Sequence, residues 1–153
     1  MIYHGIFESV LTYCIAIWGG LSKCDFQDLQ VMQNKAIRVV LNRNSQSNRN
    51  EMFDMTGCMT VKQLIFYHTV INVYKIKRNQ EPEYLYNQLR GENIHRNIVI
   101  EKTMLTLTRN GFLFRGAESW NSIPHEIRNI SKVGMFKTKL EQWIFENVKR
   151  FED

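Results

Sequence analysis

Two-metal phosphoryl transfer needs carboxylates that converge on cations about 3.5–4 Å apart. The 153-residue chain holds four aspartates, Asp25, Asp28, Asp54 and Asp153, and no two are adjacent. Asp25 and Asp28 fall on one helix face at the start of a helical pattern, where the positive end of the helix dipole accounts for them. No Gly-rich phosphate loop, GxSxG elbow or HExxH pair occurs. Ser9 and Cys14 have no base close in sequence. The expectation is that the chain has no catalytic residue, no small-molecule substrate and no cofactor.

Metal chemistry is read the same way. Cys14, Cys24 and Cys58 form no CxxC pair, and His4, His68, His95 and His125 are scattered. No metal site is expected, because zinc is usually held by paired ligands at short spacings. An odd cysteine count without a disulfide framework fits a reducing, intracellular setting, nucleus or cytoplasm, and not secretion. Cys14 is expected to pack as a small apolar residue. His68 lies among apolar neighbours, as a hydrogen-bonded core histidine or, alternatively, a general base.

The remaining chemistry is electrostatic. The chain carries 20 basic against 15 acidic residues, a formal charge of +5, and excess positive charge draws polyanions. Two clusters could meet phosphates: Lys35, Arg38 and Arg43, and then Lys75, Lys77 and Arg78. Both lie towards helix carboxy termini, where basic residues also complement the dipole. Trp18, Trp120 and Trp143 sit in apolar patterns and are expected to pack rather than stack on bases.

These side chains need helices to position them. Tyr3, Ile6, Phe7, Val10, Cys14, Ile17 and Trp18 recur at helical spacing, predicting a helix over residues 2–18 that Gly19-Gly20 stops through left-handed backbone. Its apolar stretch is too short and too interrupted to span a bilayer. A second helix fits residues 25–41, with Phe26, Leu29, Gln33, Ala36, Ile37 and Val40 on one side. The polar run NRNSQSNRNE reads as a loop. A third helix starts near Thr60 with a T-x-x-Q capping box and continues to Arg78, apolar around most of its circumference. Glu81-Pro82-Glu83 opens a short helix, with proline in the first turn.

Residues 101–108 alternate, Asn110-Gly111 follows, and then Phe112-Leu113-Phe114; this predicts a small two-stranded ribbon. GAESWNSIPHEIRN reads as two short helical turns broken before Pro124. Val133, Phe136, Leu140, Trp143, Ile144, Val148 and Phe151 then form the stripe of a closing amphipathic helix. With 44% hydrophobic and 12% aromatic residues but only two prolines and eight glycines, the expectation is one mainly α domain over residues 1–153, with one small β-hairpin.

Four phrases in order carry a resemblance. SVLTYCIAIWGG is similar to an L-x-Y-x-x-x-x-W-G segment, and LQVMQNKAIRVVLN to a helix with Q-N-K-A-I-R at its centre. MTGCMTVKQLIFYHTVINVYK is similar to a lead-in followed by a helix ending in Tyr-Lys. RNGFLFRGAESWNSIPHEIRNISKVGMFKTKLEQWI has the closing pattern F-x-x-x-G-x-x-x-W-N, then Pro, then I-R, then F-K-x-x-L. Together they cover nearly the whole chain and resemble the region after the polymerase in jockey-like non-LTR retrotransposon reverse transcriptases.

The resemblance implies a carboxy-terminal fragment of an RNA-directed DNA polymerase whose catalytic aspartates lie upstream. Its partners would be RNA or DNA, through the parent enzyme. None of the family's catalytic residues falls on a position here. The family's H-x-x-x-T-R phrase appears only as IHRNIVIEKT, and the Cys/His zinc knuckle of some relatives is missing. The other reading is a helical protein–protein interaction module without nucleic acid.

Overall fold

The computed structural model describes residues 3–44, 46–93, 97–99 and 106–151. They are mainly helical, and the chain forms two compact units, Met1–Ile65 and Phe66–Asp153.

The first unit opens with a π-helical turn, Tyr3–Glu8, followed by α1 (Ser9–Thr12) and α2 (Ile15–Trp18). The single helix expected over residues 2–18 is therefore broken. Hydroxyls of Ser9 and Thr12 bond back to the Gly5 and Glu8 carbonyls at 2.9 and 2.8 Å, competing with regular helix bonds. Cys14 then takes left-handed backbone at φ 52, and the Trp18 indole N–H donates to the Tyr13 carbonyl at 2.7 Å. The break rotates the apolar face: Leu11, Ile15 and Ala16 are buried, whereas Ile6 and Val10 are exposed. Cys14 is exposed and does not pack in the core as expected. Gly19 ends α2 at φ −63, without the left-handed conformation anticipated there.

Helix α3 (Lys23–Val40) is capped by the Ser22 hydroxyl and closes through left-handed Asn42. Gln33 and Ile37 on its inner side are fully buried. The polar stretch expected as loop ends sooner than its composition implied, because Asn48 accepts a bond from the Asn50 amide at 2.9 Å. That cap starts α4 (Arg49–Thr56), which inserts Met52 and Phe53 beside Tyr3, Ile37 and Cys58. Left-handed Gly57 ends it.

Helix α5 (Val61–Asn79) begins at the predicted capping box: the Thr60 amide donates to Gln63 Oε1 at 2.8 Å and the Gln63 amide to Thr60 Oγ1 at 3.4 Å. In the second unit it is followed by α6 (Glu83–Leu89), with Pro82 as its N-cap. Next come α7 (Thr106–Asn110), α8 (Phe112–Ser122), α9 (His125–Arg128) and α10 (Val133–Glu146), then a 3-10 turn, Val148–Phe151.

The predicted β-hairpin is corrected. Phe112-Leu113-Phe114 opens α8, and no strand occurs among the described residues; residues 101–105 of the proposed first strand lie outside them. Type I′ hairpin turns need positive φ at both central residues. Gly111 instead sits at φ −66 and caps α8, and Asn110 closes α7. The only β pairing described is an isolated bridge between Glu92 and Ile98.

The core of this unit is aromatic. Tyr74 stacks on Phe136 at a centroid distance of 4.0 Å, and Trp120 lies 6.1 Å from the same ring. The Tyr74 hydroxyl donates to the Ser131 carbonyl at 2.8 Å. Phe136, Leu140 and Ile144 of the closing helix are fully buried, as the stripe predicts, whereas Val133 and Val148 of the same stripe are exposed. The Asn121 side chain acts as a short piece of strand: it accepts from the Ile98 amide at 2.7 Å and donates to the Ile98 carbonyl at 2.9 Å.

Candidate functional site

The six basic residues singled out in the sequence fall into both units. Lys35 and Arg38 lie on the carboxy-terminal half of α3, with Arg43 just beyond its closing turn. Lys35 and Arg43 are exposed, and Arg38 is half-buried. The Arg38 Nε is buried and has no hydrogen-bond partner among the described residues. Burying such a donor is unfavourable without an acceptor.

In the second cluster Lys75 and Arg78 are exposed on α5. Lys77 is engaged inside its own unit. Its ammonium donates to Glu92 Oε1 at 2.7 Å and to the Leu89 carbonyl at 3.4 Å, and lies 5.9 Å from the centre of the Trp120 ring. Lys77 thus ties α5 to the segment after α6, and the free cationic surface here is that of Lys75 and Arg78.

Among the described residues, no group of three metal-ligating side chains includes an aspartate. Asp25 accepts from the Ser22 hydroxyl at 2.7 Å in the first turn of α3, a capping role. Asp28 and Asp54 are exposed on α3 and α4, and Asp153 lies outside the described residues. His68 is half-buried, with its imidazole pKa lowered by burial and by repulsion from Lys137 and Lys75.

Tertiary contact does bring together three groups that sequence spacing kept apart. His4 Nδ1 lies 2.9 Å from Glu8 Oε2, and His4 Nε2 lies 4.0 Å from the Cys58 sulfur. One ligand-type atom from each residue falls within 4.8 Å of the other two. The His4/Glu8 spacing of one helical turn was the only hint in the sequence. Cys58 arrives through the packing of α4 beside Tyr3.

The first unit also carries an apolar groove of about 480 Å³, lined by Ile6, Phe7, Val10, Leu11, Trp18, Leu29 and Met32. The chain matches no protein-family model, no curated protein and no solved structure. No helix of the described residues is long and apolar enough to cross a membrane.

Proposed function

We propose that this chain is a non-catalytic helical module of the kind that follows the polymerase region in jockey-like non-LTR retrotransposon reverse transcriptases. In that role it supports the parent enzyme and contacts RNA or DNA without sequence preference. The ordered phrases W-G, Q-N-K-A-I-R and W-N-x-x-P, spread over nearly the whole chain, carry the reading. The Q-N-K-A-I-R phrase lies on α3, where its Lys35 is exposed and its Arg38 is half-buried. An ammonium and a guanidinium that reach solvent suit phosphate oxygens.

Phosphate binding releases counterions, so affinity must fall as salt rises. Fluorescence anisotropy with a labelled single-stranded RNA and a DNA duplex should show binding that weakens steeply with salt. Lys35→Glu/Arg38→Glu should weaken both and flatten the salt slope by about two phosphates' worth. Binding that ignores salt, or is unchanged in the double variant, would count against contact through α3.

A second reading is a protein-interaction module, and the groove in the first unit favours it. Exposed Ile6, Val10 and Met32 line it, and contiguous apolar surface of this kind marks sites where partners dock. Under that reading Val10→Glu removes partner binding and leaves nucleic-acid affinity unchanged.

A further inference from the structure

We propose that His4, Glu8 and Cys58 form a binding site for a thiophilic divalent metal ion of the Zn²⁺ class. The donors are one imidazole nitrogen, one carboxylate and one sulfur, with one atom of each within 4.8 Å of the others. That set selects the metal. Ca²⁺ and Mg²⁺ demand oxygen ligands, whereas thiolate with imidazole suits zinc and its neighbours.

The spacing is close to what the ion needs. Tetrahedral Zn²⁺, with bonds of about 2.0–2.1 Å to nitrogen and about 2.3 Å to sulfur, holds those two atoms about 3.5 Å apart. His4 Nε2 and Cys58 Sγ stand 4.0 Å apart, a gap that a small rotation of the imidazole closes. Glu8 Oε2 lies 2.9 Å from the other ring nitrogen, and it gives up that contact to become the third donor. The Tyr3 ring, itself buried, packs edge-on against His4 at 5.3 Å and limits the positions open to it.

The site is fixed from one side and open from the other. Cys58 is 3% exposed and anchored among Tyr3, Ile37, Met52 and Phe53, while His4 is exposed. A cation would enter from the His4 side and keep water in its remaining position. On binding a metal the Cys58 S–H bond breaks, an electron pair of the sulfur bonds the ion, and the proton leaves to solvent. The proposal does not depend on nucleic-acid binding.

Titrating the purified full chain with Co²⁺ tests the proposal, because a cobalt–thiolate bond gives a near-ultraviolet charge-transfer band and tetrahedral Co²⁺ absorbs in the visible. Both signals should appear at one equivalent and vanish when Zn²⁺ is added. They should persist in Cys14→Ser/Cys24→Ser, disappear in Cys58→Ser, and require at least about tenfold more Co²⁺ in His4→Gln, since losing a ligand costs no less than losing its outer support. Absence of a thiolate band in the natural chain, or a band that survives Cys58→Ser, overturns the site. Should Cys58→Ser lose its helical circular dichroism, His4→Gln and Glu8→Gln decide. Cobalt affinity unchanged in both would equally overturn it.

Discussion

At the scale of single residues, the buried amide of Gln33 is settled by specific partners. Gln33 is fully buried on α3, and its amide donates to the Tyr3 hydroxyl at 2.7 Å and the Met59 carbonyl at 2.8 Å. Its carbonyl oxygen accepts from Gln30 at 2.8 Å, whose own oxygen accepts from the Val61 amide at 3.1 Å. The apolar period placed Gln33 on the inner face, but only long-range packing supplies its partners. His68 is held differently. Its pKa lies below the ordinary value of about 6.5 because burial, Lys137 and Lys75 all oppose the imidazolium. The unfolded chain therefore binds the proton more readily than the folded one. The stability from neutral His68 is complete above the unfolded pKa and is lost as pH falls through the folded pKa. Urea midpoints at pH 7.5 and pH 5 (about one unit or more to either side of 6.5) should fall further in the natural chain than in His68→Gln; equal falls would contradict this.

At the scale of elements, two glycines in helices give opposite expectations from one substitution. Alanine in place of glycine ordinarily stabilises a helix by about 0.5–1 kcal/mol. At Gly116 in α8, a Cβ would stand 2.9 Å from Cγ2 of Val73. Val73 is fully buried and β-branched, so it has no rotamer to retreat into. Gly116→Ala should therefore cost about 1–3 kcal/mol through overpacking. Gly134 in α10 faces open space within 4 Å, and Gly134→Ala should gain up to about 1 kcal/mol. Chemical denaturation of both variants checks the signs, and a stabilised Gly116→Ala would mean the two helices lie further apart. Caps were the most legible feature of the sequence here, since Thr60 with Gln63 and the break before Pro124 are local chemistry. The Asn110-Gly111 turn was misleading for a related reason. The same dipeptide serves a hairpin or a helix junction, and the burial of Gly116, Ala117 and Trp120 on one side of α8 selects the helix.

At the scale of the molecule, the two compact units have separate cores. Tyr3, Ile37, Met52, Phe53 and Cys58 cluster in the first, and Tyr74, Trp120 and Phe136 stack in the second. Truncating a fully buried Ile or Phe to alanine costs about 2–5 kcal/mol. Native-state hydrogen exchange should show Ile37→Ala lowering protection chiefly among amides of residues 3–65, and Phe136→Ala chiefly among those of residues 66–151. A uniform loss in either variant would show that the units open as one.

By itself the sequence determined that the chain is mainly helical, where α3, α5 and α10 lie, and that α5 begins at a capping box. Those features follow from apolar periodicity and from bonds between residues three or four apart. The break at Cys14, the helix at 49–56 and the loss of the expected hairpin showed only in the structure, the first two through local side-chain bonds that apolar periodicity does not register. The meeting of Cys58 with His4 and Glu8 depends on groups distant along the chain. No local pattern encodes a distance such as the 4.0 Å between residues 4 and 58; the packing of Met52 and Phe53 against Tyr3 and Ile37 sets it.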